Sequence, residues 1–207
     1  MAISTYPGIR TAIWDLLDID VNAMSTAKTD VLVAQREELM YQELRVRQME
    51  TVISSTMTTA GVVALPSDYL EMKHLHVDGS PTTPLQRRTR EWIYTKYPTR
   101  SSDGKPKYFA REGENLIFGP FPDSTYLVAG IYYFKPTAVS GTSSALSAVL
   151  ASSPYLLVYG GAAEVDRALG RPKQAELWEQ SYERLKTKLM AAEYSEFSGS
   201  ALQVTSA

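Results

Sequence analysis

The stretch Ser153-Pro154-Tyr155-Leu156-Leu157-Val158-Tyr159-Gly160-Gly161-Ala162-Ala163-Glu164-Val165-Asp166-Arg167-Ala168-Leu169-Gly170-Arg171-Pro172 decides the fold of this chain. Ser153 followed by Pro154 is an N-cap and first-turn signature, and the helix they open, Tyr155 to Leu169, is apolar nearly all round. A helix with almost no polar face has to be covered by others, so it reads as the buried centre of a bundle. Gly160, Gly161, Ala162 and Ala163 leave room for another backbone to approach closely. Gly170-Arg171-Pro172 then stops this helix and starts an antiparallel partner. Ala175, Trp178, Tyr182, Leu185, Leu189 and Ala192 of that partner follow one another in alternating steps of three and four, a seam for one neighbour.

The covering helices are found at the other end of the chain. Ile9, Ile13, Leu16 and Leu17 recur at helical spacing behind a Ser4/Thr5 cap, with Pro7 in the first turn, which predicts a helix to about Asp18. A longer helix is expected from a cap at Thr29 to about Gln48, with Leu32, Val33, Leu39, Met40 and Leu44 as its apolar stripe. The expected bundle core is therefore Leu32, Leu39, Leu157, Trp178, Tyr182, Leu185 and Leu189.

Between these ends the period changes. Thr51 to Met57 is rich in Thr, Val and Ile and resumes at Val62 after Gly61, which predicts a hairpin or strand pair. Leu70 to Val77 alternates, with a phase shift between Met72 and Leu75, and closes on the turn Asp78-Gly79. Thr89 to Tyr97 reads as a short helix with Trp92 and Ile93. Lys107 to Arg111, Asn115 to Phe118 and Thr125 to Phe134 read as an antiparallel meander joined by short turns. Thr137 to Ser144 is a Ser/Gly/Thr link back to helix, and Ser195 to Ala207 loses periodicity and reads as an extended tail. The expected class is α+β: N-terminal bundle helices in 1–50, an inserted antiparallel β-rich subdomain in 51–136, C-terminal bundle helices in 137–194 and a docking tail in 195–207.

Composition narrows the chemistry. Of 207 residues 44% are hydrophobic and 21% charged, ordinary globular usage. No apolar run approaches the roughly 20 residues that span a bilayer, and with no basic segment followed by an apolar core near residue 1 a secretory signal is not expected. With no Cys there is neither a disulfide framework nor a thiolate metal site, which suits synthesis in a reducing cytoplasm. The net charge of −2 argues against tight binding to DNA phosphates. Gly-x-Ser-x-Gly, phosphate-cradling and Cys-nucleophile motifs are absent, and Glu37/Glu38 are adjacent on a helix and diverge around its axis, so no catalytic residue and no cofactor is expected.

Two clusters invite other readings. His74, His76 and Asp78 share one face of a regular strand at i, i+2 and i+4, as a metal site would need. With no further His to complete a site, the solvated face of a strand entering a turn is preferred. Arg87, Arg88 and Arg90 beside Trp92 could touch DNA without sequence preference, although contact with a subunit or protein partner is favoured. Arg45 and Arg47, set among Glu43 and Glu50, read as local ion pairs on a helix end.

Several landmarks in order resemble the head-to-tail adaptor (connector) proteins of tailed bacteriophages. They are Glu43 to Glu50, Ala64-Leu65-Pro66-Ser67-Asp68-Tyr69-Leu70-Glu71, Val77 to Pro81 and Pro106 to Ala110. Gly119 to Asp123, Tyr132 to Pro136, Tyr155 to Ala163 and Ser198 to Gln203 complete the series. The resemblance implies a helical bundle interrupted by a β insertion and built into a ring, usually of twelve, beneath the portal at the head–tail interface of a virion. It also implies that the C-terminal tail inserts into the portal or a neighbouring subunit, that a tail or nozzle protein binds below, and that double-stranded DNA passes through. Tyr194, Phe197, Leu202, Gln203 and Val204 are the expected portal-binding residues. A carbohydrate- or receptor-binding module, using the aromatic meander as a saccharide groove, is the alternative.

Overall fold

The computed structural model describes residues 3–99, 104–138 and 145–201, with the backbone alone over 194–201. The chain divides into two compact units, Met1–Met49 with Lys135–Ala207, and Glu50–Phe134. The architecture is α+β.

The first unit is helical: α1 (Tyr6–Leu17), α2 (Thr26–Glu43), α4 (Ala148–Ser152), α5 (Pro154–Ala168) and α6 (Pro172–Ala201). α1 starts where the sequence predicts, with the Thr5 hydroxyl accepting from Gly8 N, and ends on Asp18 in the left-handed conformation. Its buried residues Tyr6, Ile9, Ile13 and Leu17 form one stripe, with Leu16 partly out of it. α5 is the centre: Leu156, Leu157, Val158, Gly160 to Ala163 and Val165 are buried, and α1, α2, α4 and α6 pack around it. The two glycines are what allow this. A Cβ on Gly160 would lie 2.7 Å from Arg36 Nε, and one on Gly161 would lie 2.6 Å from Ile13 Cδ1, so α2 and α1 occupy the space that side chains would fill.

Four features of this unit differ from expectation. The cap of α2 is Ser25, not Thr29; Thr29 lies inside the helix, fully buried, where it accepts from Trp14 Nε1 at 3.1 Å. α2 stops at Glu43, because Leu44 turns extended, and a 3₁₀ turn Arg47–Met49 follows in place of more helix. The inward face of α2 is Thr29, Val33, Arg36, Glu37, Met40 and Tyr41. Leu39, set about 100° from Met40 around the axis, is consequently 49% exposed, and Leu32 is only half-buried. Finally, α6 runs on to Ala201, through the first seven residues of the stretch expected to be extended. Its 30 residues span about 45 Å. Along it Ala175 and Tyr182 are buried, while Trp178, Leu185 and Leu189 are half-buried on the expected seam. The five-residue α4, capped by Ser147, went unread in the sequence because it is shorter than two turns of pattern.

The second unit is a pair of four-stranded sheets. One has the order β1 (Glu50–Met57), β8 (Tyr126–Phe134), β3 (Tyr69–Val77), β4 (Thr83–Pro84); the other has β2 (Val62–Ala64), β7 (Asn115–Gly119), β6 (Tyr108–Glu112), β5 (Gln86–Arg87). β1 and β2 therefore do not pair with each other, although the turn at Gly61 joins them: each goes to a different sheet. The expected meander is likewise reduced to the β6–β7 hairpin, while β8 crosses to lie between β1 and β3. Ile53, Met57, Leu75, Val128 and Tyr132 from the first sheet meet Val63, Phe109, Leu116 and Phe118 from the second in one core. The helix α3 (Arg90–Lys96) covers the other face of the second sheet, where Ile93 packs on Ala110 and Ile117. β7 is thus buried on both faces, which explains its unbroken Leu-Ile-Phe run. The phase shift in β3 is a bulge between Met72 and His74. β1 and β8 are in register from Glu50↔Tyr133 to Met57↔Tyr126, so the chain enters and leaves this unit on neighbouring strands.

Candidate assembly surfaces

The polar side chains of the helical unit are spent on holding helices together. Arg36, 8% exposed on α2, donates through Nη2 to Glu179 Oε1 at 2.6 Å and through Nη1 to Glu164 Oε1 at 3.5 Å, and its guanidinium lies 3.9 Å from the centre of the Tyr182 ring. Arg167 closes the circuit, reaching Glu164 at 2.6 Å and Glu179 at 2.7 Å. Two arginines and two glutamates thus join α2, α5 and α6, and their charges cancel. Burial alone would raise the Glu179 carboxyl, but hydrogen bonds from Arg36 and Arg167 outweigh it and hold the group below the usual carboxylate range. Further along α6, Tyr182 and Lys186 both donate to Glu43 Oε2, at 3.3 and 2.7 Å, and Arg47 stands 3.9 Å from Glu193. Burial pushes the phenols of Tyr6, Tyr41 and Tyr182 well above their ordinary range.

Arg45 and Arg47 therefore do not form the local pairs expected of them. Arg45 donates to the carbonyls of Gln42 and Leu44, the exposed end of α2, and Arg47 reaches α6, while Glu43 pairs with Lys186 and Glu50 with Lys73. Glu37 and Glu38 diverge as expected: Glu37 is buried and accepts from Tyr41 at 2.8 Å, and Glu38 pairs with Lys135.

In the second unit the arginines near Trp92 are engaged. Arg87 pairs with Glu71 at 3.5 Å, Arg90 pairs with Glu91 at 3.5 Å and stands 3.8 Å from Glu112, and Arg88 lies over the rings of Trp92 and Tyr108. They remain at least half exposed at Arg87 and Arg90, but as parts of acid–base and cation–π pairs. His74 and His76 do share a face, with ring centres 5.1 Å apart. The Asp78 carboxylate instead accepts from Gly79 N and caps the turn, and among the described residues no group of three or more His, Cys, Asp or Glu could hold a metal. Of the aromatics on β8, Tyr132 is 5% exposed in the core and donates to Asp68, and burial together with Asp68 pushes its phenol up to about 12. It is not available to a saccharide.

Tyr194 and Phe197 lie on the backbone of α6; Leu202, Gln203 and Val204 lie outside the described residues. Two other surfaces of the helical unit leave apolar side chains uncovered. One is a ridge on α2, where Lys28, Val31, Gln35, Leu39 and Gln42 are exposed along one face, Val31 at 57%. The other is a groove of about 390 Å³ whose lining includes Leu16, Leu17, Leu177 and Trp178 together with Asp166 and Arg171. A second hollow of about 540 Å³ shares Leu16 with it and ends at Tyr155. Asp166 is 1% exposed; its Oδ2 accepts from Trp178 Nε1 at 3.1 Å, while Oδ1 has no hydrogen-bond donor and Arg171 Nη1 stands 3.7 Å away. Sequence reasoning missed Arg36, Glu37 and Asp166 as buried charges. Their signal was position: the first two fall on the Val33–Met40 stripe, and the third interrupts an apolar helix.

Among the described residues no helix is long and apolar enough to cross a membrane. No curated protein matches the chain. A family model described as "SU10 adaptor protein" matches residues 4–204, both helical ends and the β insertion alike. The sequence landmarks, the α+β architecture and this match converge: the chain belongs to the SU10 adaptor protein family, a phage head-to-tail adaptor family.

Proposed function

We propose that the protein is a structural adaptor that forms a ring beneath the portal, lengthens the DNA channel and offers the surface on which the tail attaches, without catalysing a reaction. The observation behind this reading is the family match over residues 4–204. Physical features support it. The charged groups described above are largely paired within the chain, which suits a wall past which DNA slides. A ring also multiplies a modest contact, since closed symmetry and high effective concentration make the whole far tighter than one interface. On this reading the partners are the portal protein, neighbouring copies (twelve in all), a tail or nozzle protein, and double-stranded DNA held without sequence specificity.

The portal contact is assigned to the C-terminal end, with Tyr194, Phe197, Leu202, Gln203 and Val204 as its anchors. The far end of α6 is suited to this because about 45 Å of helix separates it from the α5–α6 turn. Removal of residues 195–207 tests the assignment. The truncated protein is expected to keep its helical circular dichroism and to lose co-sedimentation with purified portal; unchanged co-sedimentation would refute the role of this end. Electron microscopy of the full chain mixed with portal gives the ring and its copy number.

A further inference from the structure

The 27 residues from Leu85 to Arg111 hold eight basic side chains and two acidic ones, a net charge of +6, whereas the other 180 residues carry 13 basic against 21 acidic, or −8. The chain is therefore two-signed although its total is only −2. We propose that the basic, aromatic face around Trp92 on the β unit of one copy docks on the acidic end of α1 in the next copy. This rests on the ring reading above and names a pair of surfaces that close the ring.

On the basic side, Arg88 lies 5.4 Å from the centre of the Trp92 ring and 5.7 Å from that of Tyr108, and its Nη2 donates to Gln86 Oε1 at 3.0 Å. Trp92 meets Tyr108 edge-on at 4.7 Å and Tyr97 at 6.5 Å between ring centres. Lys96 follows Trp92 by four residues, so it stands one turn further along the same face of α3. Arg88 and Lys96 are both exposed, and among the described residues neither has a carboxylate partner. A guanidinium held by two rings and one amide is a pre-oriented cation with little rotamer freedom left to lose. Groupings of Arg, Trp and Tyr of this kind anchor protein contacts.

On the acidic side, Asp15 lies in the last turn of α1, Asp18 caps it and Asp20 follows, all three exposed. That turn holds no basic residue, and among the described residues none of the three carboxylates forms an ion pair. A helix C-terminus carries the negative end of the backbone dipole, so cations are favoured there and aspartates are repelled. The Arg88 and Lys96 of a neighbouring copy would turn that repulsion into attraction. Duplex DNA fits the basic face less well. Glu91 and Glu112 stand 3.5 and 3.8 Å from Arg90 within that face, where they would meet the phosphates, and a duplex offers the rings no unpaired base to stack on. Two unlike patches on one chain also make the heterologous contact that a closed ring requires.

Charge exchange tests the pairing. Arg88→Glu/Lys96→Glu makes the basic face acidic, and Asp15→Lys/Asp18→Asn makes the acidic end basic, with Asn at 18 because that residue is left-handed, φ 51°. All four side chains are exposed, so both variants are expected to keep the wild-type circular dichroism. Alone, each should raise the concentration needed for half-maximal ring formation with portal by roughly tenfold or more, because like charges then face each other. Mixed in equal parts they should assemble again, as alternating rings, since each face then meets an end of opposite sign. Rings from either variant alone at the wild-type concentration would overturn the contact, and so would a mixture that stays unassembled where the wild type forms rings. A carbodiimide, which joins an amine directly to a carboxylate, gives a check without substitution. In wild-type rings built from isotope-labelled and ordinary chains it should couple Lys96 of one copy to Asp15, Asp18 or Asp20 of another. Coupling of Lys96 to the portal alone would overturn the contact by giving the face to the portal. Intact rings of Arg88→Glu/Lys96→Glu that have lost binding to a labelled DNA duplex would overturn it by giving the face to DNA. Failure of the wild-type chain to form a ring with or without portal would instead remove the ring reading itself.

Discussion

Arg36 joins three helices through a single guanidinium, and its removal tests how much of the helical unit depends on that circuit. Arg36→Met leaves Glu164 and Glu179 with Arg167 alone and withdraws the cation from Tyr182. A loss of about 2–4 kcal/mol is expected in urea denaturation followed at the helical band. The same circuit sets an acid limit. Glu179 is held below its ordinary value of 4.5, so its contribution is complete above that pH and is lost as pH falls through the folded value. Thermal midpoints should therefore fall as the pH drops below the ordinary carboxylate value of 4.5, and Glu179→Gln should flatten that slope. At the alkaline end the sign reverses. Tyr6, Tyr41 and Tyr182 are raised by burial, so their contribution is intact below about pH 10 and is lost as pH climbs through the folded values. None of this was legible from residue types, because the partners of Arg36 lie 128 and 143 positions away. On a helical stripe a buried Arg looks like an error in the pattern.

At the level of elements, α5 shows what periodicity does reveal. Its near-uniform apolarity announces a covered helix, and its glycine pair announces close neighbours; both are local properties of the sequence. The identity of those neighbours is not. Gly160→Ala and Gly161→Ala separate the two close contacts. An alanine in mid-helix is ordinarily favoured over glycine by about 1 kcal/mol. At 160 the new methyl meets Arg36 Nε and Cγ, at 2.7 and 2.9 Å, in the middle of a side chain fixed by two glutamates. At 161 it meets the terminal methyl of Ile13 at 2.6 Å, the far end of an uncharged side chain that no ion pair fixes, and Val33 Cγ2 at 3.2 Å. We expect Gly160→Ala to lower stability by about 1–3 kcal/mol and Gly161→Ala by clearly less, read from thermal melts. In the sheets, the bulge in β3 was visible as a phase shift, whereas the pairing of β1 with β8 was not. A strand's pattern fixes which face is buried but not which neighbour it takes, and this partner lies 69 to 83 residues away.

Over the whole molecule, the helical ends and the β insertion could be read in order because the hydrophobic period changes from 3.6 to 2 and back. The apolar ridge on α2 could not, since Leu39 has the same composition signal whether it faces inward or outward. The insertion offers a test of independence. Replacing residues 50–134 by two glycines joins the helical segments across strands that already lie side by side. The shortened chain is expected to remain soluble and to melt cooperatively with a stronger helical signal per residue. Aggregation, or a melt without a transition, would show that the helices need the sheets.

The Glu50↔Tyr133 pairing also decides how the protein answers to tension. A pull along the backbone would reach the β unit at two strand ends that sit on adjacent rungs of one ladder. Such a load separates the rungs one after another from that end, like a zipper, and never strains them all at once. Were a virion to stretch this protein during packaging or ejection, yielding should begin there.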